Sequence, residues 1–262
     1  MELLQGGRGD QAVIYKCWRD EETIALRVAK GFVEVLVGEA PTVTPSQFSS
    51  FLKEVSRQAL LKHPYLLEVK GYSEEYPLVA YEFADGGSLE YQLARGWEPL
   101  PEEALAVGIR VGEALEYLHS RGFVHGDVKP SNVFAFTKGI VKLGDLQSLK
   151  KAMARTTGKL YFTPGFAAPE QYFLDLREPG EEEKVDSYQL ANLVLYLLKR
   201  ESVDGEELAS GNADLEEALG GLGELGEVLK RGLKVRPSER ASVGELVEEF
   251  KALLEKLGGG EG

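Results

Sequence analysis

The hydrophobic pattern of the chain is strand-like at first and becomes helical further on. Residues 23–28, 66–71 and 78–83 have the composition of strands, and between them only residues 45–62 repeat apolar positions at helical spacing. Later, residues 102–120 and 186–196 carry apolar side chains at helical intervals. We therefore predict an α+β protein, in which an antiparallel sheet of about five strands with one helix precedes a mainly helical region.

Composition bounds the class of protein. A chain of 262 residues with 43% hydrophobic residues can bury a large core. The single Cys17 excludes an internal disulfide, and the N-terminus lacks the basic start and apolar run of a secretory signal. No apolar stretch approaches the roughly 20 residues needed to cross a bilayer. These features predict a cytoplasmic protein without a membrane segment.

The net charge narrows the range of partners. A formal charge of −13 argues against nucleic acid as the main partner, because phosphate backbones are themselves negative. The same charge is compatible with a basic protein substrate, and solubility alone would also explain it. The sequence gives no indication of the oligomeric state.

Residues 125–132 place a carboxylate, an ammonium and a carboxamide at short spacings. Pro130 restricts both itself and the residue before it, which favours a loop over a helix. Asp127 could accept a hydroxyl proton, Lys129 could neutralise a phosphate, and Asn132 could offer an oxygen to a hard cation. This combination is suited to phosphoryl transfer.

The run His-Gly-Asp-Val-Lys-Pro-Ser-Asn at residues 125–132 resembles the catalytic loop of eukaryotic-type protein kinases, whose pattern is H-R-D-x-K-P-x-x-N. Motifs in the order of that family continue on both sides, from Gly7 to Arg240. Residues 144–147 resemble the D-F-G motif, and residues 163–170 resemble T-P-G-Y-x-A-P-E.

The resemblance implies a bilobal kinase fold. The N-lobe is expected at residues 1–83, the C-lobe at 84–257 with a hinge at about 82–86, and a disordered tail at 258–262. In that fold Asp186 would accept hydrogen bonds from the catalytic-loop backbone, unless it is an ordinary helix cap. Arg240 would pair with Glu170.

The resemblance also implies the site residues. Asp127 and Lys129 would be catalytic, and Asn132 and Asp145 would hold Mg²⁺ or Mn²⁺. The residues expected to bind ATP are Gly7, Gly9, Ile14, Ala25, Arg27, Glu54, Tyr81, Glu82, Ala84 and Phe134. The implied activity is transfer of the γ-phosphoryl of ATP to serine or threonine hydroxyls of protein substrates, the kinase itself included. Lys129, in the pattern H-x-D-x-K-P, resembles the lysine that serine/threonine kinases carry at this position.

Some positions depart from the family pattern. Arg27 stands where the phosphate-holding lysine is expected, and Lys30 could replace it only if a bulge or turn intervenes. Glu54 is expected to pair with Arg27, although a solvated glutamate is the simpler interpretation. Gln58 occupies a usually apolar position, and Gln147 replaces a glycine. These changes keep open a pseudokinase that acts by binding, and more remotely a small-molecule kinase.

The catalytic loop has Gly126 where phosphorylation-dependent kinases carry arginine. Without that arginine, a phosphate on Thr156 or Thr157 lacks its usual anchor. The sequence therefore predicts an activity that depends little on phosphorylation of these threonines.

Overall fold

A computed structural model describes residues 2–8, 12–29, 32, 43–146, 149–151 and 163–258 of the chain. The chain forms two compact units, Met1–Asp85 and Gly86–Gly262. The lobe limits named above remain a prediction. Gly258, which was expected to begin the disordered tail, instead ends the last helix.

The first unit contains a five-stranded antiparallel sheet, as predicted. Its strands are β1 Glu2–Arg8, β2 Ala12–Arg19, β3 Glu22–Ala29, β4 Val69–Tyr72 and β5 Leu78–Glu82, in the order β1-β2-β3-β5-β4. Helix α1, Pro45–Ala59, packs Val55 against Val69 and Val79 of the sheet.

Local chemistry explains both ends of α1. Thr44 caps the first turn by accepting a hydrogen bond from Gln47 N. Pro45 suits the first helical position, because an N–H group there would have no acceptor within the helix and its absence costs nothing. The predicted end at residue 62 is wrong by three residues. The chain turns after Ala59, where Leu60 N donates to Arg57 O at 3.2 Å.

The second unit is mainly helical, as predicted. Its helices are α2 Leu89–Ala94, α3 Pro101–His119, α4 Pro169–Tyr172, α5 Lys184–Lys199, α6 Gly205–Ala209, α7 Leu215–Leu219, α8 Gly223–Gly232 and α9 Val243–Gly258. Its strands are β6 Gly87–Ser88, β7 Phe123–Val124, β8 Val133–Phe136, β9 Ile140–Leu143 and β10 Lys150–Lys151. None of the helices in the described residues is long and apolar enough to cross a membrane.

Helix α5 is the centre of the second unit and is buried along most of its length. Helices α3, α8 and α9 pack against it. Helix α8 approaches α5 closely at Gly232, where a Cβ atom would lie only 2.6 Å from Ala191 Cβ. Polar side chains of α5 therefore need partners inside the protein, and several find them in the loop that follows β7.

Candidate active site

The segment between β7 and a 3₁₀ turn at Pro130–Asn132 is a loop, as predicted. Gly126 has φ of +72°, a left-handed conformation that glycine adopts without the strain of a Cβ atom. Asp127 follows directly and is 8% exposed. The loop thus presents a nearly buried carboxylate whose surroundings determine what it can do.

Three donors engage the Asp127 carboxylate. The Thr163 hydroxyl donates to Oδ1 at 2.8 Å, and the Lys129 ammonium lies 2.8 Å from Oδ2. Asn132 Nδ2 donates to Oδ2 at 3.1 Å and to the Asp127 carbonyl at 2.8 Å. Lys129 also donates to Thr163 Oγ1. The structure therefore brings together the three predicted residues of the loop and adds Thr163, which comes from a distant segment.

Oxygen atoms suited to a hard cation remain at the edge of this cluster. Asn132 Nδ2 donates both of its hydrogen bonds to Asp127, so the side-chain oxygen of Asn132 is the atom that can bind a cation. The β8–β9 ladder pairs Val133 with Leu143, and Gly144 N donates to Asn132 O at 2.8 Å, so Asp145 follows at the same end of the hairpin. Within the described residues, no hydrogen bond or ion pair engages the Asp145 carboxylate. These two residues fit an Mg²⁺ site.

The buried carboxylate of Asp186 holds the backbone of the catalytic loop. Asp186 of α5 accepts hydrogen bonds from His125 N at 2.9 Å and from Gly126 N at 2.7 Å, which confirms the predicted contact. His119 Nε2 lies 2.7 Å from the same carboxylate. Burial raises the pKa of Asp186, but bonds and charge from His119 outweigh it and hold the pKa below its usual value.

The predicted pair between Arg240 and Glu170 is confirmed and is bidentate. Arg240 Nη1 and Nη2 donate to Glu170 Oε1 and Oε2 at 2.5 and 2.6 Å, and both side chains are buried. The remaining guanidinium hydrogens bond the carbonyls of Lys184, Lys234 and Val235. This pair anchors the start of α4, which lies beside the catalytic loop.

In the first unit, four of the residues expected to bind ATP share one face of the sheet. Ile14 and Arg27 are directly opposite on β2 and β3, and Ala25 is opposite Tyr81 of β5, so all four side chains project to one side. Arg27 is also opposite Val79, which packs against α1. The sheet thus places Arg27 on the face that α1 covers.

Glu54 and Arg27 do not form the predicted ion pair. None of the ion pairs between described residues joins them, and Glu54 instead accepts a hydrogen bond from Gln58 Nε2 at 3.2 Å. Gln58 is 1% exposed, and its oxygen accepts a 3.0 Å hydrogen bond from the Tyr81 hydroxyl. Gln58, which the sequence left unexplained, therefore connects the helix to the sheet.

The other residues expected to bind ATP lie on separate elements. Gly7 lies within β1, Glu82 ends β5 and accepts from Glu68 N at 2.7 Å, and Ala84 follows two residues later. Phe134 lies in β8 of the second unit, opposite Lys142. The predictions for Gly9, Lys30, Gln147, Thr156 and Thr157 fall outside the described residues.

Two glutamines beside the catalytic loop were not predicted from the sequence. Gln189 of α5 accepts from Val128 N at 2.8 Å, and Gln171 of α4 donates to Gly126 O at 3.0 Å. The spacing of Asp186, Gln189 and Asn192 contained a signal for the first of them. Polar residues three apart on an otherwise apolar helix share one side, and burial of that helix would oblige each to find a partner.

Comparison with known proteins agrees with this geometry. The family model described as protein kinase domain matches residues 3–251. A probable serine/threonine-protein kinase of Streptomyces coelicolor is 32% identical over 162 residues, which cover 59% of this chain and 24% of that protein.

Two plant proteins are also similar. A probable serine/threonine-protein kinase of Arabidopsis thaliana is 34% identical over 179 residues, which cover 64% of this chain and 42% of the relative. CBL-interacting protein kinase 4 of Oryza sativa is 34% identical over 205 residues, which cover 73% of this chain and 42% of the relative. The chain thus spans less than half the length of these relatives. Because the family model covers nearly all of it, the chain belongs to the protein kinase domain family.

Proposed function

We propose that the protein transfers the γ-phosphoryl group of ATP to serine or threonine hydroxyls of protein substrates. The observation that carries the proposal is the Asp127 carboxylate, held by Thr163, Lys129 and Asn132. A threonine hydroxyl already fits between the carboxylate and the ammonium, which supports an aliphatic hydroxyl as acceptor. The names of the relatives agree with serine/threonine specificity.

Each group would have a separate role. Asp127 would orient the acceptor hydroxyl and take its proton as the hydroxyl oxygen bonds to the γ-phosphorus and the bond from that phosphorus to the bridging oxygen of the departing ADP breaks. Lys129 would stabilise negative charge on the transferring group. Thr163 and Asn132 would hold the carboxylate in place, so that little reorganisation is needed when the reaction occurs.

The nucleotide and metal are assigned from the residues that fit them. Asn132 and Asp145 would hold Mg²⁺ or Mn²⁺, which when bound neutralises charge on the phosphate oxygens. Arg27, with Ile14, Ala25 and Tyr81 on the same face of the sheet, would bind ATP. The net charge of −13 supports a basic protein substrate over nucleic acid, and a cytoplasmic location is part of the same proposal.

One observation favours a second candidate, a pseudokinase that binds nucleotide without transferring phosphate. Arg27 replaces the expected lysine and forms no ion pair with Glu54 among the described residues. The argument against it is the catalytic loop, because a binding protein has no chemical need for Asp127, Lys129, Asn132 and Asp145 together.

The test is radiolabel transfer from the γ-phosphate of ATP, with Mg²⁺ or Mn²⁺, to the protein itself and to a basic test protein. Asp127→Asn is the matched control, because the amide keeps the shape of the side chain but cannot take a proton. We expect this variant to lower turnover by about 10²- to 10⁴-fold.

Labelling of serine and threonine that disappears in Asp127→Asn would support the proposal. If the wild type transfers no label with either metal but ATP still raises its melting temperature, the pseudokinase is the better description. Ligand at 100 times its dissociation constant should stabilise the protein by about 2.7 kcal/mol, which a thermal shift detects.

A further inference from the structure

Two buried glutamines bind the catalytic loop on both sides of Asp127. Gln189 of α5 is fully buried, and Gln171 of α4 is 4% exposed. Among the described residues, neither forms a hydrogen bond with the Asp127 carboxylate. Both instead hydrogen-bond the backbone of Gly126 or Val128, the residues that precede and follow it.

The bonds form a closed network. Gln189 Oε1 accepts from Val128 N at 2.8 Å, while its Nε2 donates to Gly126 O at 3.1 Å and to Gln171 Oε1 at 3.0 Å. Gln171 Nε2 donates to Gly126 O at 3.0 Å, and its Oε1 also accepts from Ala168 N at 2.8 Å. The Gly126 carbonyl therefore receives two amide donors.

Only one orientation of these amides satisfies the network. Val128 N can only donate, so the Gln189 atom that faces it must be the oxygen, and its nitrogen must face the Gly126 carbonyl. An apolar side chain in place of Gln189 would leave the buried Val128 N–H without its partner. Such a group costs more than the net value of a typical hydrogen bond.

The network also joins two rigid parts of the second unit to the loop. Gln189 lies on the buried helix α5, three residues after Asp186, which holds the N–H groups of His125 and Gly126. Gln171 follows Glu170, whose carboxylate is fixed by Arg240. Gly126 is thus held through both its N–H and its carbonyl while in a left-handed conformation.

We infer that Gln171 and Gln189 are positioning residues for Asp127: they hold the peptide groups on either side of it, so that the loop is set by contacts present in the folded chain. The inference rests on the proposed function. It also supplies a physical basis for activity that needs no phosphate on the segment around Thr156 and Thr157, because Gly126 has no side chain that such a phosphate could hold.

The test uses Gln189→Met and Gln171→Met, which keep an unbranched side chain of similar length but remove the amide. Tyr188→Phe is the control. Tyr188 is the neighbouring residue of the same helix, and the variant removes the buried hydrogen bond from its hydroxyl to Val203 O at 2.9 Å, which does not involve the catalytic loop. A role in folding alone would lower the stability of these variants but leave the kcat of the folded protein unchanged.

For Gln189→Met we expect kcat to fall by about 10- to 100-fold while the KM for ATP changes by less than about twofold, because misplacement of a catalytic group lowers turnover rather than nucleotide binding. Gln171→Met removes a single bond to the loop and should lower kcat less, and Tyr188→Phe should leave it within about twofold. If Gln189→Met does not fold, Gln171→Met decides the question.

Amide hydrogen exchange of residues 125–128 gives a readout that needs no catalysis. We expect about tenfold faster exchange at Val128 in Gln189→Met and no change there in Tyr188→Phe. Wild-type kcat in Gln189→Met, or unchanged exchange, would overturn the inference while leaving a kinase in place. If the wild type transfers no phosphate, the proposed function fails, and exchange alone decides whether the glutamines hold the loop.

Discussion

The two units of the chain differ in how far their paired polar side chains are buried. In the second unit several polar groups around the catalytic loop are buried and matched, as in the pair of Arg240 with Glu170 and the bonds around Asp127. In the first unit the ion pairs that Glu68 forms with Lys62 and Lys70 are exposed, and Arg27 has no ion-pair partner among the described residues. The residues proposed to carry phosphoryl transfer thus lie where polar groups are held by buried partners.

This difference indicates where the two units can tolerate change. A buried network costs a great deal when one member is removed, because the partner left behind cannot turn to water. An exposed charge that loses its partner is simply hydrated. We therefore expect substitutions of polar residues to have large effects in the second unit and graded effects in the first.

The largest effect is expected at Arg240. Arg240→Ala leaves the buried Glu170 carboxylate unpaired and should lower the free energy of unfolding by about 3 to 5 kcal/mol. The control Lys251→Ala removes two more exposed pairs in the same unit, with Glu113 and Glu248 at 3.2 Å each, and should cost about 0 to 1 kcal/mol. Urea denaturation measures both, and equal losses would contradict the contrast between buried and exposed pairs.

The second largest effect is expected at Arg27, which is proposed to bind the phosphates of ATP. Arg27→Met removes a charge that would contact phosphate and should raise the KM for ATP by about 10- to 100-fold, since a hydrogen bond to a charged group contributes about 1.5 to 3 kcal/mol. Lys53→Met, on the exposed side of α1, is the control and should leave the KM unchanged. Arg27→Met with wild-type KM would mean that another cation holds the phosphates, with Lys30 as the first candidate.

A smaller effect is expected between Gln58 and Tyr81. Tyr81→Phe and Gln58→Leu each remove the hydrogen bond between these two side chains, and each should cost about 1 kcal/mol of stability. The double variant should cost about 1 kcal/mol less than the sum, because the two apolar side chains then face each other. Additive losses in a double-mutant cycle would show that the 3.0 Å hydrogen bond does not connect helix and sheet energetically.

The smallest effect is expected at Glu68. Hydrogen bonds from Lys70 and then Lys62 lower its pKa from 4.5 to about 2. A lowered pKa adds stability that is present above the unfolded value of 4.5 and is lost as the pH falls towards about 2. Because the side chain is 36% exposed, solvent screens this contribution, and Glu68→Gln should cost less than about 1 kcal/mol at neutral pH.

The pH and salt dependence of this last variant provides its check. The difference between wild type and Glu68→Gln should shrink in acid and in about 1 M salt, where the screening length is about 3 Å. A difference that persists under both conditions would mean that Glu68 acts through something other than its two lysines.

Much of the fold was predictable because its signals are local. The hairpin formed by residues 133–136 and 140–143 is one example, since apolar residues flank a short turn. The end of α1 was missed because the three residues after Ala59 continue a pattern compatible with helix, and a turn at Leu60 ends the helix instead. Asp186 and the Arg240–Glu170 pair were predicted from a family resemblance rather than from spacing.

Asp127, Lys129 and Asn132 could be assigned from the sequence because six residues of one loop contain all three, and a short loop leaves them few ways to be apart. Only the folded chain brings Thr163 to Asp127, directs Gln171 and Gln189 to the loop backbone, and engages Glu54 with Gln58 rather than Arg27. Those hydrogen bonds join residues on separate elements or choose between rival partners. Their formation depends on directions and distances of a few tenths of an ångström, which the packing of α1, α4 and α5 decides.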